Sequence, residues 1–255
     1  SLAIFGLFIA IFIGIGLVSK EVEKKSVFGL LSKPISRSQF ILGKYAGLAG
    51  MIDSLWALGR RLYWEKTPTP LAEIKRTPDY ASLADAETHI AEVGKKIALR
   101  GLPEALTPLV VGFAGYGNVS QGAQEILSLL PCEEIPPAGL SALFRKEASP
   151  RNDRIYKVVF REEHLVEPRA AANRFVLQDY YQQPEKYQSQ FEKYIPYLSV
   201  LVNCIYWEPR YPRLVTKTYL KGAMGQAARP RLRVIGDITC DLGGSIECNI
   251  RVTDI

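Results

Sequence analysis

A glycine-rich segment in the middle of the chain carries the residue types that hold a nucleotide phosphate. Gly115, Gly117 and Asn118 occur in the order G-Y-G-N, and Val119 begins an amphipathic stretch directly after them. Glycines let the backbone turn tightly and approach a phosphate, and a helix N-terminus offers unpaired N–H groups with a partial positive charge. The pattern predicts a site for a dinucleotide pyrophosphate, although Ser120 replaces the third glycine of G-x-G-x-x-G. The alternative is a plain strand-to-helix turn.

The segments on either side have the periodicity needed to position this turn. Residues 109–114 form a short apolar run, which is typical of a buried parallel strand. Over residues 119–130 the apolar side chains fall on one helical face. We expect Asn118 to cap this helix, with Gln121 as its reciprocal partner. A strand, a glycine turn and a helix in this order predict the phosphate-binding unit of a Rossmann-like fold.

Three further apolar segments predict strands of the same sheet. They cover residues 155–160, 199–206 and 231–238 and are separated by helical patterns. This alternation favours an α/β fold with a doubly wound, Rossmann-like parallel sheet and helices on both faces. Ligands of such sheets bind at the carboxyl ends of the strands, so Asn203 and Asp237 join the candidate cofactor-binding residues.

Helices are predicted before and after the glycine turn. Residues 46–62 have apolar side chains at helical spacing, and Ser82 begins a capping-box pattern that opens a second helix. A polar, tyrosine-rich helical stretch is expected over residues 179–194. We therefore expect residues 44–108 to form a helical segment that packs on a dinucleotide-binding domain of residues 109–255.

The overall composition excludes several function classes. The hydrophobic fraction of 47% and the charged fraction of 23% are ordinary for a globular domain. The net charge is +6, but no cluster of Lys and Arg is interleaved with aromatic residues as a nucleic-acid groove would require. The four cysteines lack CxxC spacing, and two histidines are too few for a multi-histidine metal site. We expect no nucleic-acid partner, no metal ion and reduced thiols, as in the cytoplasm.

The N-terminus has a different character from the rest of the chain. Residues 2–18 are a continuous apolar run at the lower length limit for a bilayer span. A buried core helix is the alternative, and a secretory signal is disfavoured because no basic segment precedes the run. Lys20, Lys24 and Lys25 follow, which places this end in the cytoplasm by the positive-inside rule. We expect residues 1–43 to form a transmembrane helix and a basic juxtamembrane segment that anchor a cytoplasmic domain.

The N-terminal piece, residues 1–47, resembles a fragment of the ABC-2 type transporter permeases. The similarity lies in the segment after the apolar run, in LLSKPISR at residues 30–37 and FILGK at residues 40–44. A transporter needs several membrane spans, and the sequence has no second apolar run of that length. This piece alone therefore cannot form a transporter.

Residues 44–255 resemble the lysine–ketoglutarate reductases, also called saccharopine dehydrogenases (lysine-forming), of the alanine dehydrogenase and transhydrogenase group. The similarity is carried by the segments GKYAGLAGMIDSLWALGRRL, VVGFAGYGNVSQGAQEILSLLPCEEIPP, REEHLVEP, VLVNCIYWEPRYPRLVT and VIGDITCDLGGSIE, which occur in the family's order. It implies an oxidoreductase acting on a CH–NH bond, with NADP or NAD as cofactor. The implied reaction condenses lysine reductively with 2-oxoglutarate to give saccharopine, or runs in reverse.

The resemblance also implies roles for individual residues. The glycine turn would hold the cofactor phosphates, and Glu133 or Glu134 would lie near the adenosine ribose. A carboxylate there favours a free 2′-hydroxyl, whereas a 2′-phosphate usually requires arginine. Because the family often uses the phosphorylated cofactor, both NADP and NAD stay open. Asn203 and Asp241 match positions near the nicotinamide, and Asp241 is the candidate for orienting the reacting centre. The alternative for Asp241 is a turn carboxylate that caps a backbone N–H.

One difference from the family concerns the acid–base groups. The family carries them on a lysine and a histidine of a further N-terminal domain, whose place is taken here by residues 1–43. Imine reduction needs a proton donor near the nitrogen. Three interpretations follow: an oxidoreductase domain, catalytically complete or incomplete; a membrane-anchored nucleotide-binding module without catalysis; and an ABC-2 permease fragment fused to such a module.

Overall fold

The chain is built around a parallel β-sheet. The computed structural model describes residues 37–170, 172–226 and 230–250. The helices are α1 (Arg37–Trp64), α2 (Leu83–Arg100), α3 (Asn118–Leu127), α4 (Glu162–Leu165), α5 (Leu177–Gln182) and α6 (Lys217–Gln226). The strands are β1 (Leu109–Ala114), β2 (Cys132–Glu134), β3 (Ile155–Phe160), β4 (Val166–Pro168), β5 (Tyr187–Ser189), β6 (Val200–Asn203) and β7 (Val234–Asp237). Short 3₁₀ helices cover Pro70–Glu73, Thr77–Asp79, Glu104–Leu106, Pro137–Phe144, Pro184–Lys186 and Phe191–Tyr197.

The sheet has five strands in the order β2-β3-β1-β6-β7, and every neighbouring pair is parallel. The central strand β1 pairs with β3 on one side, where Ala114 lies opposite Phe160, and with β6 on the other, where Ala114 lies opposite Asn203. Strands β4 and β5 form a separate antiparallel pair. The predicted α/β fold with a Rossmann-like parallel sheet is confirmed.

One face of the sheet packs against the long helices. All six residues of β1 are buried, and its alternate side chains point to opposite faces. Val111 and Phe113 belong to the core that α1, α2 and α3 form over the sheet. The helix predicted to begin after Ser82 is confirmed as α2, because the Ser82 hydroxyl accepts a hydrogen bond from the Asp85 N–H at 3.2 Å.

The other face is covered by shorter elements. Val110 and Ala114 of β1 pack there among residues of α5, of the 3₁₀ helices and of the loop at residues 214–215. The helix predicted over residues 179–194 is wrong: α5 ends at Gln182, and a 3₁₀ turn, strand β5 and a second 3₁₀ helix follow. Pro184 explains the break, because proline lacks an N–H and clashes with the preceding helical turn. This layer is therefore filled by aromatic side chains of several short elements and not by one long helix.

Helix α1 crosses α3 with their backbones in contact. A Cβ atom added to Gly47 would lie 1.9 Å from the carbonyl oxygen of Val119, and one added to Gly122 would lie 2.2 Å from that of Lys44. The buried Lys44 ammonium pairs with the Glu125 carboxylate of α3 at 2.9 Å. The domain boundary predicted between residues 43 and 44 falls inside α1, which runs unbroken on both sides of it.

The predicted transmembrane helix at residues 2–18 and most of the permease-like piece lie outside the described residues. Among the helices that the structure describes, none has the combination of length and apolar character that crossing a membrane requires.

Candidate nucleotide-binding site

A cleft of about 540 Å³ opens at the carboxyl edge of the sheet. It is bounded by the turn after β1, by Glu162 after β3, and by residues 204–207 after β6. Residues 211–214 and two tyrosines of α5 close its far side. From β1 the chain continues first to β2 and β3 on one side and later to β6 and β7 on the other. The cleft therefore lies at the topological switch point, where doubly wound sheets bind their ligands.

The glycine turn has the geometry that a phosphate requires. Gly115 has a φ of +95°, a conformation that a side chain would strain, and its N–H donates to the Phe160 carbonyl at 3.0 Å. At Gly117 an added Cβ would meet no atom within 4 Å. Gly115 thus fixes the turn, while Gly117 leaves space above the backbone that a ligand can occupy.

The start of α3 lacks a side-chain cap. Gly117 is the N-cap residue, and its carbonyl accepts the first helical hydrogen bond from Gln121 at 2.9 Å. The prediction that Asn118 caps the helix is wrong, because Asn118 is already the first helical residue and a cap needs extended backbone. Its Oδ1 atom is buried without a hydrogen-bond partner among the described residues. The first residues of α3, including Val119, line the cleft, and their N–H groups lack a side-chain cap, which is the arrangement that allows a helix end to bind an anion.

A polar cluster lies at the end of β3, the strand directly beside β1. We call Tyr116, Arg161, Glu162 and Tyr181 the β3-end cluster. The Tyr181 hydroxyl donates to the Glu162 carboxylate at 2.6 Å, and the Arg161 guanidinium lies 4.9 Å from the centre of the Tyr116 ring. Burial, and then the nearby Glu162 charge, raise the pKa of the phenols of Tyr116 and Tyr181. Both phenols therefore keep their protons at neutral pH.

His164 holds the backbone of this cluster. Its Nδ1 accepts a hydrogen bond from the Arg161 N–H at 3.0 Å. Burial is the largest influence on the ring and lowers the pKa of His164, while the charge of Glu163 opposes this shift. The histidine is therefore neutral at physiological pH, as an accepting Nδ1 requires.

Glu133 and Glu134, the predicted ribose-binding residues, lie away from the cleft. They are exposed on the edge strand β2, where Glu134 is opposite Lys157. Strand β3 continues three residues further, to Phe160, so Glu134 lies roughly 10 Å below the carboxyl edge. Glu133 pairs with Arg154 at 3.0 Å and Glu134 with Lys157 at 2.6 Å.

Asn203 and Asp237 lie side by side at the ends of β6 and β7. The Asn203 amide nitrogen is 2.8 Å from an Asp237 carboxylate oxygen and 2.9 Å from the Ser245 hydroxyl. The other Asp237 oxygen accepts from the Asn249 amide at 2.8 Å. Asn203 is fully buried, so these residues form a closed network that holds the loop after β7. Asp241 is exposed in that loop and is not among the residues that line the cleft.

The β6 end of the cleft combines aromatic and cationic side chains. The Trp207 indole N–H donates to the carbonyls of Tyr211 and Pro212 at 3.1 and 3.2 Å. The Arg213 guanidinium lies 5.3 Å from the Trp207 ring centre. Cys204 lines the cleft below them, and burial raises the pKa of its thiol to about 12. This end is mostly apolar with one positive charge.

The structure thus brings Gly115, Gly117, Asn118 and Val119 to one cleft and leaves the other predicted site residues outside its lining. Sequence reasoning missed the β3-end cluster and Arg213. A signal existed for the cluster, because Arg161 and Glu162 follow a predicted strand that is longer and more apolar than residues 132–134. Only the order of the strands shows which carboxylate lies beside the glycine turn.

The fold and the cleft are those of the Rossmann-like class, whose members bind nucleotides at this edge of the sheet. The chain is similar to alpha-aminoadipic semialdehyde synthase of Arabidopsis thaliana, with 41% identity over 222 residues that cover 83% of this chain and 20% of the relative. It is 38% identical over 229 residues to the mitochondrial alpha-aminoadipic semialdehyde synthase of Bos taurus and 34% identical over 229 residues to that of Mus musculus. Each match covers 84% of this chain and 24% of the relative.

These similarities confirm the resemblance to lysine–ketoglutarate reductases that the sequence predicted. The chain spans about a fifth to a quarter of the length of these relatives. Residues 1–57 match the family described as ABC-2 family transporter protein, in agreement with the predicted resemblance of the N-terminal piece.

Proposed function

We propose that this chain carries the cofactor-binding domain of an NAD(P)-dependent oxidoreductase of the lysine–ketoglutarate reductase type. The observation that carries the proposal is the uncapped N-terminus of α3, which opens into the switch-point cleft beside Gly117. An anion-binding helix end after a glycine turn suits a pyrophosphate. The similarity to alpha-aminoadipic semialdehyde synthases supports the choice of reaction.

The product in the name of these relatives, alpha-aminoadipic semialdehyde, indicates the substrates of the proposed reaction. Alpha-aminoadipic semialdehyde is lysine whose ε-carbon has become an aldehyde, so the ε-nitrogen must pass to an acceptor. In the proposed reaction lysine, 2-oxoglutarate, NAD(P)H and a proton give saccharopine, NAD(P)⁺ and water. The ε-amine replaces the oxo oxygen of 2-oxoglutarate, which leaves as water, and C2 of the resulting imine is reduced while its nitrogen gains a proton.

The residues of the glycine turn fit the cofactor. Gly117 leaves open space where a side chain would stand, and the buried Oδ1 of Asn118 lacks a hydrogen-bond partner among the described residues. We assign Gly115, Gly117, Asn118 and Val119 to the pyrophosphate. When bound, the nicotinamide supplies the hydride. The chain's own contribution is to bind the phosphates with backbone N–H groups and to fix the position of the turn through Gly115.

The β3-end cluster is our candidate for the adenosine ribose, in place of Glu133 and Glu134. It follows the strand beside β1, which is where Rossmann-like domains select between the two cofactors. The Glu162 carboxylate already accepts the Tyr181 hydroxyl, whereas the exposed Arg161 guanidinium can pair with a 2′-phosphate. We therefore propose a preference for NADPH over NADH.

The described cleft offers few groups that could transfer a proton near neutral pH. The phenols of Tyr116 and Tyr181 and the thiol of Cys204 have raised pKa values, since all three are at least partly buried. Asp241, the residue first expected to orient the reacting centre, lies outside the lining. We propose that the described domain binds and orients the cofactor and that the general acid comes from elsewhere.

The match to the ABC-2 transporter family gives the second candidate, a membrane-anchored module without catalysis. Its last residues, 37–57, belong to α1, which packs on α3 through Gly47 and lines the cleft at Gly43. That part of the match is therefore integrated in the nucleotide-binding domain, which favours the oxidoreductase. The predicted cytoplasmic location stays a prediction; the cattle and mouse relatives are named as mitochondrial.

Cofactor titration followed by turnover tests the proposal. The 255-residue chain is titrated into NADPH and NADH separately, and the fluorescence of the reduced nicotinamide reports binding. Oxidation at 340 nm is then followed with lysine and 2-oxoglutarate together and with each alone. We expect saturable binding that favours NADPH. Failure to bind either cofactor contradicts the proposed function, and oxidation that requires both substrates shows that the chain also contains the general acid.

A further inference from the structure

Arg213 is a guanidinium held in place at the β6 end of the cleft. Its Nη1 donates to the carbonyl oxygens of Gly243 at 2.6 Å and Gly244 at 3.0 Å, both in the loop after β7. Its guanidinium carbon lies over the Trp207 ring, 5.3 Å from the ring centre. An arginine fixed on one side by carbonyls and an indole has already lost much of its rotamer freedom. It is therefore pre-organised to bind a ligand with its remaining donors.

The remaining donors of Arg213 have no acceptor among the described residues. Only Nη1 makes hydrogen bonds, and no described carboxylate lies within 4.0 Å of the guanidinium. The neighbouring Arg210, by contrast, pairs with Glu208 at 2.9 Å. An arginine offers five N–H donors in a planar fork, and Nε with Nη2 matches a carboxylate in a bidentate manner. Nε and Nη2 of Arg213 are thus suited to bind a carboxylate.

The charges along the cleft separate its two ends. Of the described lining residues, Glu162 at the β3 end is the acidic one and Arg213 at the β6 end is the basic one. Arg213 therefore attracts an anionic substrate to the side of the cleft at Trp207. The pyrophosphate turn at Gly117 lies between these ends, along the same cleft.

The proposed reaction specifies which carboxylate belongs there. The carbon that is reduced is C2 of the 2-oxo acid, and the C1 carboxylate is bonded directly to it. Lysine reacts through its ε-nitrogen, and its own carboxylate is several carbons away. The carboxylate nearest to the nicotinamide is thus the C1 carboxylate of the 2-oxo acid.

We propose that Arg213 binds the C1 carboxylate of the 2-oxo acid substrate. This inference rests on the proposed function and extends it, because it assigns a substrate-binding residue within the described domain. Nε and Nη2 donate to the two carboxylate oxygens, while the bonds from Nη1 to Gly243 and Gly244 keep the fork in place.

The test measures oxo-acid binding separately from cofactor binding. The full 255-residue chain is first saturated with NADPH, and 2-oxoglutarate or pyruvate is then titrated by isothermal calorimetry. Pyruvate retains the C1 carboxylate and lacks the distal one. The variants are Arg213→Met, Arg213→Lys and the control Arg210→Met, which removes an exposed arginine outside the lining. Circular dichroism melting confirms that each is folded, and Arg213→Lys, which can keep a hydrogen bond to a glycine carbonyl, replaces Arg213→Met if that variant unfolds.

We expect both Arg213 variants to bind NADPH as the unchanged chain does and to bind both oxo acids at least about tenfold more weakly, with Arg210→Met unaffected. Oxo-acid affinity within about twofold of the unchanged chain in a folded Arg213 variant overturns the inference. So does an unchanged chain that binds NADPH but neither oxo acid, although the proposed function then stands. If the chain does not bind NADPH, the proposed function and this inference both fail.

Discussion

The two halves of the sheet's carboxyl edge differ in how they satisfy their polar groups. After β1, Gly117 and Asn118 leave a helix end uncapped and an amide oxygen without a described partner. After β6 and β7, Asn203, Asp237 and Ser245 bond to one another, and the Asn203 side chain is fully buried. Both halves carry residues that the sequence predicted as cofactor ligands.

The difference shows that a polar residue at the carboxyl edge can have all its partners within the chain. A buried polar group is costly unless it has a hydrogen-bond partner. The groups of the closed network after β6 and β7 find their hydrogen-bond partners within the chain, so this network acts as a scaffold. The groups of the open turn at Gly117 and Asn118 lack such partners among the described residues and are therefore available to a ligand. Variants in each half of the edge distinguish a scaffold from a binding site.

Removing the Asn203 amide from the closed half should lower the free energy of unfolding of the protein. Asn203→Leu leaves Asp237 and Ser245 without their buried donor, and we expect a loss of about 3 kcal/mol in the free energy of unfolding. Urea titration followed by circular dichroism measures it. The control Asn173→Leu, at an exposed position, should change stability by less than about 0.5 kcal/mol. A stable Asn203→Leu protein with weakened cofactor binding would instead make Asn203 a ligand.

A charge at the open half should act on binding and not on stability. Gly117→Asp places a carboxylate against the pyrophosphate, and we expect cofactor affinity to fall by about a hundredfold, measured by nicotinamide fluorescence. The control is Gly222→Asp in α6, since an added Cβ at Gly222 also meets nothing within 4 Å and Gly222 does not line the cleft. Unchanged affinity in folded Gly117→Asp contradicts the assignment of the phosphate turn.

The strand order predicts which side chains select the cofactor. Arg161→Ala should weaken NADPH binding by about tenfold and NADH binding by less than about twofold, because only the 2′-phosphate loses a partner. The matched variant Glu133→Gln should change neither, since β2 ends well below the edge. A selective effect of Glu133→Gln on NADH, with none from Arg161→Ala, would restore the assignment made from the sequence.

The smallest effect concerns pH and His164. Because burial lowers the pKa of His164, the unfolded chain takes up a proton at a higher pH than the folded chain. The contribution of His164 to stability is therefore full above about pH 6.5 and is lost as the pH falls through the lower folded-state pKa. We expect about 0.5 kcal/mol, after allowing for the partial exposure of the ring.

Urea unfolding at pH 5 and pH 7.5 measures this loss. His164→Asn keeps an acceptor for the Arg161 N–H without titrating, and only His89 then remains as a histidine. The variant should lose less stability than the unchanged chain between the two pH values. An equal loss in both proteins assigns the pH dependence to other groups.

The sequence predicted local structure well where one segment contains all the information. Residues 109–114 and 155–160 were predicted as strands with the bounds that the structure has, because a continuous or alternating apolar pattern identifies a buried strand. The cap at Ser82 was also predicted correctly, since capping depends on a few consecutive residues. The helix predicted over residues 179–194 is wrong because Pro184 prevents the helix from continuing beyond Gln182, although the polar pattern continues.

The local sequence alone specifies the strand, the glycine turn and the helix that follow one another from Leu109, and with them the fold class. The residues that lie beside the turn depend instead on the order of the strands in the folded sheet. The chain places β3, not β2, beside β1, so the carboxylate that lines the cleft is Glu162 and not Glu133 or Glu134. Likewise, only the folded chain shows that the Asn203 amide donates a hydrogen bond to the Asp237 carboxylate. Strand order and long-range pairing depend on the packing of distant segments, which local periodicity does not encode.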